Sequence, residues 1–285
     1  SGRALLLRDQ AEYSEQLSGW APRHVRIAVM DGMGGHGHGR EAAEAVAAGL
    51  LGIPPCCTVA ELGRQLDALH ATLQQRFSRP GDRDDFRRPG TTLTLLEIPA
   101  GQAPLLYHVG DSRLYEITPQ QVQPLTVDHV PATAYAMHGL LSEQEWWQQV
   151  HGEHRAQISQ AFVLGNAFAN PQVLDNGLWA LDAQRLPPFL SHLPDRRVLQ
   201  VRPDAVYLLA SDGFWACAQP QRWTERWPRL LGNAPSSAAA LSGLFDEFCQ
   251  RPPAGLYLDN LTAITVRFRD AAQQHNIDET ALPVA

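Results

Sequence analysis

Residues Asp31–Gly39 read DGMGGHGHG, an aspartate with five glycines in nine residues. They lie where a short apolar, β-branched run, His24–Met30, gives way to the alanine-rich stretch Arg40–Leu51. Glycine opens backbone conformations closed to other residues, at an entropic cost. A carboxylate at the mouth of such a turn, beside an exposed backbone carbonyl, is chemistry for a hard cation, and oxygen ligands suit magnesium or manganese. Three more acidic turns stand at the ends of strand-like runs. Gly110-Asp111-Ser112 joins two of them, Ser211-Asp212-Gly213 follows Tyr207–Ala210, and Asp259-Asn260 opens Leu261–Phe268. Taken singly, each is ordinary turn vocabulary. Together, four such turns could converge at one edge of a sandwich and hold two cations.

A competing chemistry is dinucleotide binding, because Gly32, Gly34 and Gly37 satisfy G-x-G-x-x-G between a strand and a helix. The context opposes it. An acidic residue is needed about 20 positions on, at the end of a second strand, whereas Leu51–Cys57 has none and leads into another helix. Asp31 would also repel a pyrophosphate.

The elements that must position these residues follow from periodicity. Arg40–Leu51 reads as a helix. Thr58 with Glu61 forms a capping box, and Val59, Leu62, Leu66, Leu69, Leu73 and Phe77 lay out one apolar helix face behind it. Thr91–Ile98, Leu105–Val109, Ser112–Ile117 and Gln121–Thr126 read as strands, and their short spacers favour antiparallel pairing. Helical pieces are expected at Ser142–Val150 and Glu153–Leu164, and a hairpin from Val198–Val201 and Ala205–Ala210. Leu241, Leu244, Phe245 and Phe248 mark a last helix, and Leu261–Phe268 a last strand. Antiparallel strands with helix pairs between them indicate an α+β fold. One domain over residues 1–270 is expected, with a polar tail at 271–285.

The 285 residues carry a formal net charge of −7. The densest basic stretch, Arg79–Arg88, interleaves four arginines with three aspartates and reads as a solvated loop, so no nucleic-acid groove is expected. No apolar run approaches the roughly 18 residues of a membrane span, and no signal peptide is evident. Cys56, Cys57, Cys217 and Cys249 form no CxxC pair, as expected of reduced thiols in a cytoplasmic protein.

Six segments, in this order, resemble the metal-dependent, type 2C serine/threonine protein phosphatases in their bacterial style. They are AVMDGMGGHGHG (Ala28–Gly39), PGTTLTLL (Pro89–Leu96), HVGDSRLYEI (His108–Ile117), LTVDH (Leu125–His129), VYLLASDGFW (Val206–Trp215) and DNLTAITV (Asp259–Val266). The resemblance implies a sandwich of two antiparallel β-sheets flanked by helix pairs. It also implies two Mn2+ or Mg2+ ions bridged by Asp31, with the carbonyl of Gly32 as a ligand and Asp212 and Asp259 completing the first site. Asp111 matches a position used with Asp212 for a third, weaker metal. The implied reaction is hydrolysis of phosphoserine or phosphothreonine in proteins by a hydroxide held between the two ions, with no covalent intermediate. The partner would be a phosphorylated protein from a Ser/Thr kinase pathway, and the enzyme a monomer off the membrane.

Departures from the family pattern leave alternatives open. Many eukaryotic members have His where this chain has Met33, and a thioether donates no proton. The general-acid role then falls to His36, itself readable as a loop histidine bonding backbone, or to a metal-bound water. The upstream motif is eroded: Asp9 stands near its last acid, Arg8 replaces Glu or Gln, and Arg3 lies one position from the phosphate-gripping arginine. Residues 129–197 correspond to the variable flap beside the site, where Trp146 and Trp147 offer a substrate contact or core packing. Two other functions compete, a phosphoprotein-binding module without turnover and a phosphatase for small molecules.

Overall fold

The computed structural model describes residues 2–8, 11–17, 19–33, 38–77, 89–155, 157–168 and 174–268. Asp9, His36 and the tail at 271–285 lie outside them. An N-terminal hairpin, β1 (Gly2–Arg8) and β2 (Ala11–Leu17), pairs only with itself in a two-stranded sheet. β3 (Val25–Val29) runs to Asp31 and the two-residue β4 (Gly32–Met33), followed by α1 (His38–Gly52) and α2 (Val59–Phe77). β5 (Gly90–Thr91), β6 (Leu93–Ile98), β7 (Leu105–Val109), β8 (Arg113–Ile117) and β9 (Val122–Pro124) come next. The flap holds α3 (Pro131–Met137), α4 (Glu143–Trp147), a π turn at Gln148–Gly152, β10 (Gln160–Ala161) and β11 (Gly165–Asn166). β12 (Arg196–Val198), β13 (Val206–Ala210), α5 (Pro220–Thr224), α6 (Ser237–Gln250) and β14 (Ala263–Val266) complete the described chain.

Two four-stranded sheets, ordered β12-β7-β6-β3 and β14-β13-β8-β9, form the centre, and every pairing in them is antiparallel. The side-chain period of two sorts each strand between two cores. Leu96, Leu106, Leu114, Tyr207 and Leu209 meet between the sheets. Leu93, Leu95, Leu105, Tyr107 and Val109 face outward against Val46, Leu62, Leu66 and Leu73 of α1 and α2. On the other side Tyr115, Ile117, Val206 and Leu208 pack on Trp223, Trp227, Leu244 and Phe248. The result is the expected α-β-β-α layering. Because both faces are covered, these strands read as continuous apolar runs.

Several expectations need correction. Val198–Val201 and Ala205–Ala210 do not form a hairpin. β12 pairs with β7 in one sheet while β13 pairs with β8 and β14 in the other. Likewise β7 and β8 are not partners, so the Gly110-Asp111 turn carries the chain from one sheet to the other. A short spacer permits a hairpin but does not compel one where both strands have closer partners. The helix expected over Glu153–Leu164 is absent. That stretch is irregular, then enters β10, because its apolar residues are bound into tertiary contacts, such as the Val163 carbonyl accepting from Thr91 N at 3.1 Å. The β1–β2 hairpin was not anticipated.

Candidate active site

Asp31 leaves β3 at the sheet edge, and its backbone is fixed to the neighbouring strand. Its N–H donates to Thr92 Oγ1 at 3.0 Å, and its carbonyl accepts from Thr92 N at 2.9 Å. Thr92 Oγ1 in turn lies 2.9 Å from Ser112 Oγ, which ties this turn to the one bearing Asp111. Gly110 there has φ +120°, and a Cβ on it would lie 2.5 Å from Thr92 Cγ2, so only glycine fits. Gly32 is equally confined, since an added Cβ would meet the Gly39 carbonyl oxygen at 2.4 Å. The glycines therefore close the base of the loop.

Asp212 begins a single 3₁₀ turn, Asp212–Phe214, directly after β13. A Cβ on Gly213 would sit 2.4 Å from the Asn260 carbonyl oxygen, so this turn rests against the Asp259-Asn260 loop. Ser211 adds cross-links, its N–H donating to the Thr262 carbonyl at 3.0 Å and its Oγ accepting from Thr262 N at 3.0 Å.

The four carboxylates act on one another. Burial first, then the charge and hydrogen bond of Asp212, then the charges of Asp111 and Asp259, push Asp31 up to about 9. Burial and Asp212 also push Asp111 well above the usual carboxylate range, against the opposing pull of Arg113. Asp259 is raised by desolvation and then by Asp212. Such a set is chemically suited to hard cations, having only oxygen donors and an excess of negative charge. As they stand, no three His, Cys, Asp or Glu side chains among the described residues surround a common point in the manner of a metal centre.

Of the residues anticipated from sequence, Asp31, Gly32, Asp111, Asp212 and Asp259 are brought to one edge of the sandwich. Arg3 is exposed on β1, in a hairpin joined to neither four-stranded sheet. Asp9 and His36 lie outside the described residues. Met33 pairs with Gly90 and packs against the flap cluster of Ala161, Leu164, Ala167 and Leu174, which accounts for an apolar side chain at that position.

Residues to which no role had been given supply the support. Arg113 is buried, and its guanidinium donates to both Asp128 oxygens at 2.7 to 3.0 Å. It also donates to Tyr115 Oη at 2.8 Å and to the Val150 carbonyl of the flap at 2.7 Å, and lies 4.5 Å over the Trp215 ring. It thus joins the Asp111 strand, the Asp128 loop, the flap and the Asp212 turn. His129 Nδ1 accepts from Gly110 N at 2.7 Å while the His129 backbone N–H donates to the Gly110 carbonyl at 2.9 Å, clamping the turn that carries Asp111. The signal available in sequence was charge inside otherwise apolar runs, as in VGDSRLYEI and LTVDH.

A cavity of about 190 Å³ adjoins the carboxylates, lined by Asp111, Asp212, Arg113, Asp128, Trp215 and the flap residue His154 among others. A larger open cleft of about 780 Å³, around Asp67, His70, Trp179 and Arg196, contains none of the four, so the smaller cavity, with Asp111 and Asp212 on its wall, is the one next to the candidate site.

No family profile matches the chain. It is 30% identical over 129 residues to protein phosphatase PhpP of Streptococcus pneumoniae, a match covering 42% of this chain and 49% of that protein. The chain therefore spans about half the length of the curated relatives it matches. Among solved structures it is similar to the catalytic domain of serine threonine protein phosphatase PstP in complex with two manganese ions. That likeness has a TM-score of 0.58 at 21% identity and covers 94% of this chain and 97% of that one. It is also similar to serine/threonine phosphatase Stp1 of Staphylococcus aureus, with a TM-score of 0.60 at 17% identity, covering 94% and 88%. The architecture of this chain is that of these phosphatases.

Proposed function

We propose that this chain, which has the fold and the motifs of the type 2C phosphatases, is a metal-dependent enzyme hydrolysing phosphoserine and phosphothreonine in proteins. The observation that carries the reading is the gathering of Asp31, Asp111, Asp212 and Asp259 from four separate turns, close enough for each to disturb another's ionisation. Unlike charges would be needed to make so costly an arrangement worth keeping. Asp31, the Gly32 carbonyl, Asp212 and Asp259 would hold two Mn2+ or Mg2+ ions, with Asp111 available to a third. When bound, such ions neutralise a phosphate dianion and make a water acidic enough to attack near neutral pH. PstP, solved with two manganese ions, supports that metal choice.

The chain's own side chains would do the rest. Thr92 and Ser112 hold Asp31 and Asp111 in register, and His129 fixes the Gly110 backbone between them. His36 is our candidate proton donor to the leaving seryl or threonyl oxygen, and Arg3 our candidate phosphate contact. The enzyme would act as one catalytic unit, a cytoplasmic monomer in a Ser/Thr kinase pathway. No helix of the described residues is long and apolar enough to cross a membrane.

The deciding experiment is hydrolysis of p-nitrophenyl phosphate and of phosphopeptides with Mn2+ and with EDTA. Asp31→Asn and Asp212→Asn should each lose most Mn2+-dependent turnover while the domain stays folded by circular dichroism. Undiminished turnover of either variant in EDTA would exclude this function.

A further inference from the structure

The cavity beside Asp111 and Asp212, about 190 Å³, is smaller than the roughly 300–1,000 Å³ of ordinary small-molecule sites. It has the size of a single amino-acid side chain. Apart from Asp111 and Asp212, which the cations of the proposed site would engage, the charges on its walls are already paired. Arg113 is bound to Asp128 at 2.7 Å, and Arg155 to Glu153 at 2.9 Å on the rim. A charged guest would shed its hydration there and find no free counter-ion.

The uncharged polar groups are differently placed. Gln149, His154 and Gln157 line the same cavity, and their side chains make no hydrogen bond with any described residue. His154 is the fixed one of the three. It is half-buried, and its ring packs on Tyr257 with centroids 5.4 Å apart. Tyr257 belongs to the segment leading to Asp259, so the pair fastens the foot of the flap to the loop carrying the fourth carboxylate. Asp212 and Asp259 both act on the His154 ring, although burial is the larger influence and holds it below the usual histidine range.

We propose that this cavity is the subsite for the side chain flanking the phosphorylated residue of a peptide substrate. It takes an uncharged, hydrogen-bonding side chain (Ser, Thr, Asn or Gln), and His154 is its specificity-determining contact. The inference rests on the phosphatase reading above and adds to it the substrate class.

The test uses phosphothreonine peptides that differ only in carrying Asn, Asp or Lys on either side of the phosphothreonine. They are assayed at saturating Mn2+ beside p-nitrophenyl phosphate, with the parent, His154→Ala and His154→Gln. The parent should prefer Asn by kcat/KM. His154→Ala should reduce that preference about 2- to 10-fold, the worth of one neutral hydrogen bond, and do so through KM. His154→Gln, which keeps an N–H donor and an acceptor, should restore it. A parent indifferent to the flanking residue, or a preference that survives in His154→Ala, would overturn the proposal. So would a loss in His154→Ala that is equal on peptides and p-nitrophenyl phosphate, or one that His154→Gln fails to repair, since both belong to a bracing residue. A parent with no Mn2+-dependent turnover on any substrate would instead overturn the phosphatase reading, and this subsite with it.

Discussion

Asp31 is a carboxylate that the fold makes hard to ionise. Held up to about 9 against an ordinary 3.8, it keeps its proton in the folded chain at pH values where the unfolded chain has lost it. Its contribution to stability is therefore full below about pH 4 and is lost as pH rises toward 9. In EDTA, the melting temperature of Asp31→Asn relative to the parent should climb steadily from pH 5 to pH 9, and excess Mn2+ should reverse the order. Thermal melts across that range check it, and a difference independent of pH would show that Asp31 is already ionised. Arg113 makes the opposite case, a cation whose partners are all built in. Arg113→Met leaves Asp128 buried and unpaired, and should cost about 3–5 kcal/mol in urea unfolding. The loss should exceed that of the double variant with Asp128→Leu, because the pair then disappears together.

At the scale of elements, the flap shows how one helix divides structural from exposed work. Ser142 caps α4, accepting from Glu145 N while the Glu145 carboxylate accepts from Ser142 N at 2.8 Å. Replacing Ser142 by Ala should cost about 1 kcal/mol and leave the fold intact by circular dichroism. The adjacent tryptophans then differ sharply. Trp146 is 2% exposed and donates from Nε1 to Thr133 Oγ1 at 3.1 Å, whereas Trp147 is 37% exposed and lies against His151. Trp146→Ala should destabilise by about 3–5 kcal/mol, while Trp147→Ala should change unfolding little. If the flap sets substrate choice, Trp147→Ala should move rates on phosphoproteins more than on p-nitrophenyl phosphate. Equal effects on both would make Trp147 a structural residue.

Across the whole molecule, three apolar layers do the holding: the seam between the sheets and the two helix-covered outer faces. The cysteines report on those layers. Cys56 and Cys217 are buried and Cys57 and Cys249 exposed, and burial holds the Cys56 thiol up at about 11. Iodoacetamide at pH 8 should therefore modify Cys57 and Cys249 in the native protein, and Cys56 and Cys217 only after denaturant is added. Mass spectrometry of the labelled peptides reads this directly, and native labelling of Cys56 would contradict the packing of α1 and α2 on their sheet.

What the sequence determined by itself was whatever depends on neighbours a few residues apart. The capped helix after Thr58, the apolar strands and the glycine-closed turn at Asp31 are local, since 3.6- and 2-residue periods and turn chemistry act within a dozen residues. The four aspartates could be singled out on the same ground. Tertiary structure alone decided which strand pairs with which, because Leu105–Val109 and Arg113–Ile117 have equally apolar faces and would suit one sheet or two. It decided that 153–164 is not helical, since its apolar residues satisfy contacts with Thr91 and the flap instead of a helix face. It also decided that His154, one of eleven histidines, stands beside the carboxylates. The reason is common to all three. Proximity between residues some 60 to 100 positions apart is set by how whole faces are buried, and no local period encodes which face meets which.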